Sequence, residues 1–286
     1  MRIQAPAKLN LCLFLGPRRD DGLHELCSLF EPLALSDAIE VSESEHDEVV
    51  CPAVAGENLA ARALAALRAG GWKHPPLRLE IEKRIPVAAG LGGGSADAAA
   101  VLRLARGEVD VDPTGRSPQL DLTALAAGLG ADVPSQLAPA LSLVRGAGES
   151  VERLPEPAPH AVVLLPDGGG LSTAAVFAEA DRLGLGRGTE ELARLAEQLR
   201  EAAGTGASPL AYAKLLANDL EPAARSLRPR IGEALDALRA AGAPLAFLTG
   251  SGPTAVGLFP TLAEAESAAA RLDRDDTIVC EAGAAP

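Results

Sequence analysis

The segment from residue 86 to residue 98, PVAAGLGGGSADA, has the residue types and spacing best suited to chemistry. Four of its positions are glycine and a serine follows them, namely Gly90, Gly92, Gly93, Gly94 and Ser95. Glycine reaches backbone conformations closed to other residues and leaves its N–H group accessible, so successive N–H groups can line an anion site. The alanine-rich stretch that follows is predicted to be a helix, whose positive end points at the same place. The pattern predicts a phosphate-binding loop, most simply for the polyphosphate of a nucleotide.

The spacing of this loop excludes three familiar classes of phosphate loop. A Walker A loop needs a lysine directly after its last glycine, and this chain has Ser95 there. The dinucleotide-binding fingerprint needs a third glycine at the position that Ser95 occupies. The protein-kinase set needs HRD and DFG partners, which the sequence lacks.

Lys8 is the second residue that invites a specific role. The chain has 26 basic residues, and only four of them are lysine. A compact ammonium in an apolar segment of such a chain is not interchangeable with a guanidinium. The alternative is a lysine that reaches solvent from an edge strand. Asn10 lies two residues further on, and therefore on the same face of a strand.

Composition limits the classes of protein to consider. The 286 residues are 48% hydrophobic but only 2% aromatic, which predicts an aliphatic core in one large domain or two lobes. A net charge of −13 argues against a nucleic-acid partner, and no apolar run approaches the ~20 residues of a membrane helix. The four cysteines form no CxxC pair and the four histidines are dispersed. We therefore expect free thiols, a cytoplasmic protein and no metal-binding motif, with monomer and homodimer both open.

The elements that must position these residues follow from periodicity and capping signals. Strands are predicted at 2–15, at 25–42 with a turn at Ser36–Asp37, at 77–84, 140–144, 161–165, 245–259 (as strand, turn, strand) and 277–281. Helices are predicted at 58–69 with Asn58 as N-cap, at 95–106, 121–129, 172–183, 189–203, 222–241 and 263–272. The apolar start of the chain is interrupted by Asn10 and is interpreted as a strand, not as a signal peptide.

A proline-rich segment, 153–160, divides this pattern and is predicted to be a hinge between residues 1–153 and residues 154–286. In the second part the order is strand, helices, strand, strand, helix, strand. That order is typical of a ferredoxin-like split βαβ unit.

Three motifs resemble those of the GHMP kinase superfamily, which includes galactose, homoserine, mevalonate and phosphomevalonate kinases. They are APAKLNL at 5–11, PVAAGLGGGSA at 86–96 and LTGSGPTAVGL at 248–258. The resemblance implies an α+β, two-lobed fold, with an N-terminal ATP-binding lobe similar to domain 2 of ribosomal protein S5 and a ferredoxin-like C-terminal lobe. It also implies an ATP-dependent kinase of a small alcohol.

Further motifs are similar to one branch of this superfamily. They are RRDDGLHEL at 18–26, GADVP at 130–134 and NDLEP at 218–222. Members of that branch phosphorylate the 2-hydroxyl of a cytidine-diphosphate-linked sugar alcohol in the non-mevalonate route to isoprenoids. Another small alcohol (homoserine, mevalonate or phosphomevalonate) stays open as the acceptor, and so does a nucleotide-binding protein without catalysis, because fold does not determine function.

The resemblance implies catalytic roles for Asp132 and Lys8. Asp132 would accept the proton of the attacking hydroxyl, although an Asp followed by Pro134 is equally typical of a helix N-cap. Lys8 would lie between Asp132 and the acceptor and stabilise the charge that develops on the phosphoryl group. Asn10 would donate or accept a hydrogen bond to the substrate.

The resemblance also implies a cytidine site. His24 would contact the cytosine and Phe177 would stack on one face of it, while Thr173 would hydrogen-bond near Asp132. The branch commonly has an aromatic residue before this histidine, and this chain has Leu23. An aliphatic residue there would weaken stacking, or the substrate would differ. Core packing for Phe177 and a helix N-cap for Thr173 are the alternatives.

The remaining implied contacts are to ATP. The glycines of the loop would surround the phosphates, and Ser95, Ala96 and Asp97 would donate N–H groups to them. The charge of Asp97 would then lie close to an anion, a conflict that a bound Mg²⁺ would relieve. Asn58 and Lys83 would border the adenine, although Asn58 is also explained as a cap.

Overall fold

The computed structural model describes residues 1–106 and 120–283, and within them the chain forms ten strands and nine α-helices. The strands are β1 (Arg2–Arg18), β2 (His24–Glu43), β3 (Glu48–Val50), β4 (Leu77–Glu82), β5 (Ser142–Gly146), β6 (Ser150–Arg153), β7 (His160–Leu165), β8 (Leu245–Leu248), β9 (Ala255–Phe259) and β10 (Ile278–Ala282). The α-helices are α1 (Leu59–Ala69), α2 (Gly93–Leu104), α3 (Leu122–Leu129), α4 (Val133–Gln136), α5 (Thr173–Leu183), α6 (Thr189–Ala203), α7 (Glu221–Leu227), α8 (Arg230–Ala240) and α9 (Leu262–Leu272). A 3₁₀ helix covers Pro209–Leu215.

The first half of the sheet is built on the long antiparallel pair of β1 and β2. Strand β2 also pairs with β4 and with β5, and β3 adds to β4 in parallel. Helix α2 is rich in alanine, and seven of its twelve residues are buried. Small side chains let it lie close to α1 and to the sheet, so its N-terminal end is held firmly at the glycine loop.

The second half has the strand order β10-β7-β9-β8, with every neighbouring pair antiparallel. Numbered along the chain, that is the 4-1-3-2 order of a ferredoxin-like unit, as predicted. Along the chain, helices α5 to α8 lie between β7 and β8, and α9 lies between β9 and β10. The mixed, two-lobed architecture of the sequence analysis is confirmed.

The two halves meet through strand β10. Ala282 pairs with Leu33 of β2 on one side, and on the other side all five residues of β10 pair with β7. One apolar cluster contains Leu9 and Leu29 from the first half together with Val162 and Val256 from the second. The halves therefore share a core, and their division at residue 153 stays a prediction. None of the helices in the described ranges is long and apolar enough to cross a membrane.

Two predicted elements were wrong, for physical reasons that the structure shows. Strand β2 runs without a turn through Ser36–Asp37, because Asp37 is fully buried and its carboxylate accepts the N–H groups of Arg84 and Ile85. The predicted helix 222–241 is two helices, α7 and α8, which separate at Pro229 because proline cannot supply an N–H group to the interior of a helix.

Candidate active site

The phosphate loop is packed so closely that two of its glycines, Gly90 and Gly92, are required. Gly90 and Gly92 have positive φ angles of 79° and 70°. A Cβ atom on Gly90 would come within 2.8 Å of the Gly252 carbonyl oxygen, and one on Gly92 would come within 2.9 Å of the Lys8 side chain. The loop therefore lies against β1 on one side and against the turn at 249–254 on the other.

Helix α2 begins at Gly93, directly after this loop. The N–H groups of Gly93, Gly94 and Ser95 have no acceptor within the helix, because the first residues of a helix lack one. They face a cleft of about 460 Å³, lined in part by the whole segment 86–95. The sequence analysis also expected an N–H group from Ala96, but that group donates to the Gly92 carbonyl at 2.8 Å. Asp97, which was also expected to donate its N–H group, follows Ala96 and lies one residue further into helix α2.

Lys8 and Asp132 come together beside this loop. The Lys8 ammonium lies 3.3 Å from the Asp132 carboxylate, and the two side chains are 7% and 32% exposed. Asp132 directly precedes the short helix α4, yet its carboxylate makes no capping hydrogen bond there. The capping alternative therefore does not explain this residue, whereas an ion pair at the mouth of the loop does.

Asn10 holds the Lys8 ammonium from the other side. Its Oδ1 accepts a hydrogen bond from Lys8 at 2.5 Å, and its Nδ2 donates to the Ser28 hydroxyl at 2.9 Å. Ser28 in turn donates to the Cys12 carbonyl at 2.5 Å, so its oxygen is free to accept from the amide. The sequence analysis expected Asn10 to contact substrate; the structure shows it orienting Lys8, and Ser28 as a residue that sequence reasoning missed.

The turn at 249–254 closes the site from the second half of the chain. Thr249 accepts the Asn10 N–H at 2.8 Å, and Thr254 donates to the Ala89 carbonyl at 2.7 Å. Asn218 of the NDLEP motif donates to the carbonyls of Leu248 and Gly250. These bonds fix the turn against both the loop and the lysine.

His24 and Phe177 lie together, as expected for a shared binding surface. Their ring centroids are 5.4 Å apart with the planes tilted by 39°. The His24 Nε2 also lies 2.7 Å from the Asp181 carboxylate, a partner that sequence reasoning did not identify. Leu23 is 54% exposed, so a largely exposed apolar side chain adjoins this histidine in the sequence.

Helix α5 connects His24 and Phe177, the residues expected to contact cytidine, to the phosphate loop. Thr173, Phe177 and Asp181 are spaced by four residues and therefore share one face of the helix. At the N-terminal end of α5, the Thr173 hydroxyl lies 2.9 Å from the Ser251 hydroxyl in the 249–254 turn. Thr173 also lines the cleft. The N-cap of α5 is Ser172, so capping does not account for Thr173. One helix face thus runs from the phosphate loop to His24, a span of roughly 12 Å at ~1.5 Å per residue.

A buried group of charges lies under the loop. The Lys83 ammonium bonds to Asp37 and lies 2.7 Å from an Asp97 oxygen. Burial lowers the pKa of Lys83, but the charges and hydrogen bonds of the two aspartates outweigh it and the pKa is raised. For Asp97, burial is the largest effect and raises its pKa to about 7, with Lys83 opposing and Asp37 adding to the rise. Lys83 is therefore a counter-charge of Asp97 within the protein, and a Mg²⁺ ion beside Asp97 stays a prediction.

Asn58 caps α1 by accepting the Ala60 N–H at 2.8 Å, as predicted, and it also lines the cleft together with Lys83. Contacts of these two residues with adenine stay predictions. Within residues 1–106 and 120–283, no three His, Cys, Asp or Glu side chains are grouped as metal ligands.

Two family models match this chain. The model described as "GHMP kinases N terminal domain" matches residues 58–138, and "GHMP kinases C terminal" matches residues 190–276. Together they cover more than half of the sequence and include the glycine loop and Asp132. The chain belongs to the GHMP kinase family.

Curated relatives of this GHMP kinase share one name. A 4-diphosphocytidyl-2-C-methyl-D-erythritol kinase of Mesorhizobium japonicum is 39% identical over 280 residues, covering 94% of this chain and 90% of the relative. A protein of the same name from Thermobifida fusca is 39% identical over 295 residues, covering 96% and 92%.

Solved structures agree with the family. A crystal structure of 4-(cytidine 5'-diphospho)-2C-methyl-D-erythritol kinase superposes with a TM-score of 0.80 at 34% identity, covering 99% of this chain and all of that one. A homoserine kinase from Cytophaga hutchinsonii superposes with a TM-score of 0.64 at 16% identity, covering 99% of this chain and 94% of that one. The second likeness shows a common fold and nothing more.

Proposed function

We propose that this GHMP kinase transfers the γ-phosphoryl group of ATP to the 2-hydroxyl of 4-diphosphocytidyl-2-C-methyl-D-erythritol, a step of non-mevalonate isoprenoid precursor synthesis. The observation that carries the proposal is the Lys8–Asp132 ion pair beside the N-terminus of α2. A carboxylate and an ammonium at the end of a phosphate loop are what a hydroxyl needs to attack a phosphoryl group.

The triphosphate lies against the loop in this proposal. The free N–H groups of Gly93, Gly94 and Ser95 and the positive end of α2 face its oxygens. Phosphoryl transfer has a loose transition state, so positioning and charge stabilisation supply most of the rate. Lys8, held by Asn10 and Asp132, places one fixed positive charge at the reacting end.

Asp132 takes the proton of the attacking hydroxyl. One carboxylate oxygen lies near Lys8, and the side chain is 32% exposed, so its other oxygen is accessible to an acceptor hydroxyl bound beside Lys8. The hydroxyl oxygen forms the new bond to the γ-phosphorus as the bond to the β-phosphate oxygen breaks, and its proton passes to Asp132. Placement matters as much as basicity for such a carboxylate.

Mg²⁺ accompanies the nucleotide in this proposal. The described residues offer no ready-made cluster of acidic ligands, which fits the usual behaviour of Mg²⁺: it keeps several waters and is carried largely by substrate phosphates. When bound, the ion neutralises phosphate charge.

The cytidine-linked acceptor is favoured over the smaller alcohols by the face of α5. That face begins with Thr173 at the loop end, carries Phe177 about 6 Å further along, and reaches Asp181, the partner of His24, at about 12 Å. A nucleoside diphosphate ester is long enough to extend along this face from the reacting hydroxyl to His24, whereas homoserine or mevalonate is not. His24 and Phe177 then provide a polar edge and an aromatic face for a pyrimidine.

A substrate panel tests the proposal directly. Purified enzyme with ATP and Mg²⁺ is assayed for ADP formation against the cytidine-linked alcohol, homoserine, mevalonate and phosphomevalonate. Turnover with the first alone, lost on removal of the cytidine diphosphate, is the expected result. Preferred turnover of a smaller alcohol would transfer the assignment to that acceptor, and ATP binding without turnover on any acceptor would support a nucleotide sensor.

Three further properties belong to the proposal. We propose a cytoplasmic enzyme, since the sequence has thiols without disulfide spacing. We also propose that it acts without a nucleic-acid partner, given its acidic charge. It works as a monomer or a homodimer.

A further inference from the structure

Three ionisable side chains are buried together beneath the phosphate loop. Asp37 comes from β2, Lys83 follows β4, and Asp97 lies in the second turn of α2. Their side chains are 0%, 6% and 3% exposed. Lys83 bonds to both carboxylates, so two negative groups share one positive group away from solvent.

The hydrogen bonds of this cluster are complete except at one atom. Asp37 uses Oδ1 for the N–H groups of Arg84 and Ile85 and Oδ2 for Lys83. Asp97 uses Oδ2 for Lys83, but its Oδ1 is buried and has no hydrogen-bond partner among the described residues. A buried carboxylate oxygen without a donor is costly as an anion, and a proton on that oxygen removes the cost.

The cluster also adjoins the place where phosphate would lie. A Cβ atom built on Gly93 would be 3.2 Å from the Lys83 ammonium, and both Lys83 and Asp97 line the cleft. With both aspartates ionised, the cluster carries one net negative charge, and a polyphosphate bound at the loop would bring several more. At low dielectric such charges interact strongly.

We propose that nucleotide binding at the loop is coupled to uptake of a proton by Asp97. The proton comes from solvent and binds to Oδ1 of Asp97, so the cluster changes from one negative charge to neutral. Lys83 remains an ammonium beside the phosphates. Asp37 and Asp97 are thus positioning residues that act through Lys83, and the inference rests on the proposed nucleotide site.

We assign the uptake of the proton to Asp97 and not to the ionisable groups around it. Cys51 interacts with all three charges of the cluster, and burial raises the pKa of its thiol, so it stays uncharged. Other charged groups on the elements around α2 are engaged elsewhere: Lys8 with Asp132, Arg62 with Glu57, Arg68 with Asp47, and Arg103 with the carbonyls of Gln4 and Gln136. Helix α3 carries no ionisable side chain.

The direction in which pH changes nucleotide affinity follows from the thermodynamic linkage between proton binding and nucleotide binding. The pKa of Asp97 is raised to about 7 in the free protein, and an added polyphosphate raises it further. Binding therefore takes up protons near neutral pH, and affinity falls as pH increases. If binding raises this pKa by about one unit, the nucleotide binds roughly fivefold more weakly at pH 8 than at pH 6.

Calorimetry tests the proposal with β,γ-imido-ATP and Mg²⁺ as the probe. Binding is measured at pH 7 in two buffers of different ionisation enthalpy, which reports the protons exchanged. The variants are Asp97→Asn and the matched control Asp236→Asn, whose aspartate is 72% exposed on α8. Wild type and Asp236→Asn should take up roughly half a proton more than Asp97→Asn. Titration of the nucleotide itself is common to all three proteins and cancels in this comparison.

A measurement on wild type alone covers the case in which Asp97→Asn does not fold. Difference infrared spectra at pH 7 with and without the nucleotide should then show a gain in the protonated-carboxyl band. Equal proton uptake in wild type and Asp97→Asn, or no gain in that band in wild type, overturns the coupling while leaving the nucleotide site in place. Absence of any nucleotide binding overturns both the site and the coupling.

Discussion

The Lys8 ammonium lies 3.3 Å from the Asp132 carboxylate, although 124 positions separate the two residues in the chain. Strand β1, paired along its length with β2, carries the lysine, and the loop between α3 and α4 brings the aspartate to it. Asn10 and Ser28 then fix the lysine from behind. Catalysis in the proposed reaction depends on this arrangement, and five predictions probe it and its surroundings.

Replacing Asp132 with Asn should remove the proton acceptor and leave the shape of the site. We expect kcat to fall by roughly 10²- to 10⁴-fold, the usual contribution of a general base, with nucleotide affinity little changed. Steady-state kinetics and nucleotide titration check this, with Asp236→Asn as the control. Near-normal turnover in Asp132→Asn would contradict the assigned role.

Replacing Ser28 with Ala should leave the Asn10 amide nitrogen without its acceptor. The amide can then rotate, and the Lys8 ammonium loses a fixed partner. An unsatisfied buried group costs about 1–3 kcal/mol, so we expect kcat to fall by about tenfold while the KM for ATP stays constant. Ser28→Cys, which keeps a weak donor and acceptor, should recover part of the loss. A change confined to KM would mean that Ser28 does not act through Lys8.

Gly92 and Gly94 provide a matched pair for testing the loop. Gly92→Ala forces a left-handed conformation on alanine, at a cost of roughly 1–2 kcal/mol, and places its Cβ within 2.9 Å of Lys8. Gly94 is the second residue of α2, and a Cβ there would meet its nearest neighbour at 3.5 Å. Thermal unfolding should show a clear loss of stability for Gly92→Ala and none for Gly94→Ala. Equal losses would indicate that the loop is not held as described.

Replacing Leu23 with Tyr should strengthen binding of the cytidine-linked substrate. Leu23 is 54% exposed beside His24, so an aromatic ring can be accommodated there. Stacking contributes ~1–3 kcal/mol per base, and we expect the KM for this substrate to fall by about fivefold or more with the KM for ATP unchanged. Leu23→Met serves as the control for size. No change with tyrosine would mean that the pyrimidine does not reach this side chain.

The buried pair of His160 and Glu31 should make stability depend on pH. Burial lowers the pKa of His160, but the hydrogen bond and charge of Glu31 outweigh it and the pKa is raised. A raised folded-state pKa means that the pair's contribution is complete below the unfolded value of about 6.5 and is lost as pH increases through the folded value. Chemical unfolding of wild type and His160→Gln should therefore differ most below about pH 6.5, and the difference should shrink above it.

The exposed His46 provides the control for this measurement. His46→Gln should parallel wild type at every pH. A stability difference between wild type and His160→Gln that stays constant across the pH range would show that the pair does not titrate as described.

Sequence reasoning succeeded where the signal was local. The N-cap at Asn58 and the loop before α2 depend on residues within a few positions of each other, and both lie as predicted. The ferredoxin-like order also followed, because each of its strands has its own apolar run. The turn expected at Ser36–Asp37 was wrong because a polar pair usually marks a turn, and the donors that satisfy Asp37 lie 47 and 48 positions away.

Site residues that act at long range were harder to find. Ser28 and Asp37 are single polar residues in an apolar strand, and nothing nearby in the sequence shows what they bond. Asp181 could have been found from the sequence, because it follows Thr173 and Phe177 at a spacing of four and therefore lies on the same helix face. The pairing of Lys8 with Asp132 came from the family resemblance, because no periodicity connects two residues so far apart.

The placement of β10 between β2 and β7 affects how this chain is made. This strand is made about 240 residues after β2, so that position beside β2 stays unfilled until then. The 249–254 turn, which closes over Lys8, is likewise made long after β1. A nascent chain can thus fold its first half early, yet its phosphoryl-transfer centre is complete only after this turn has been made.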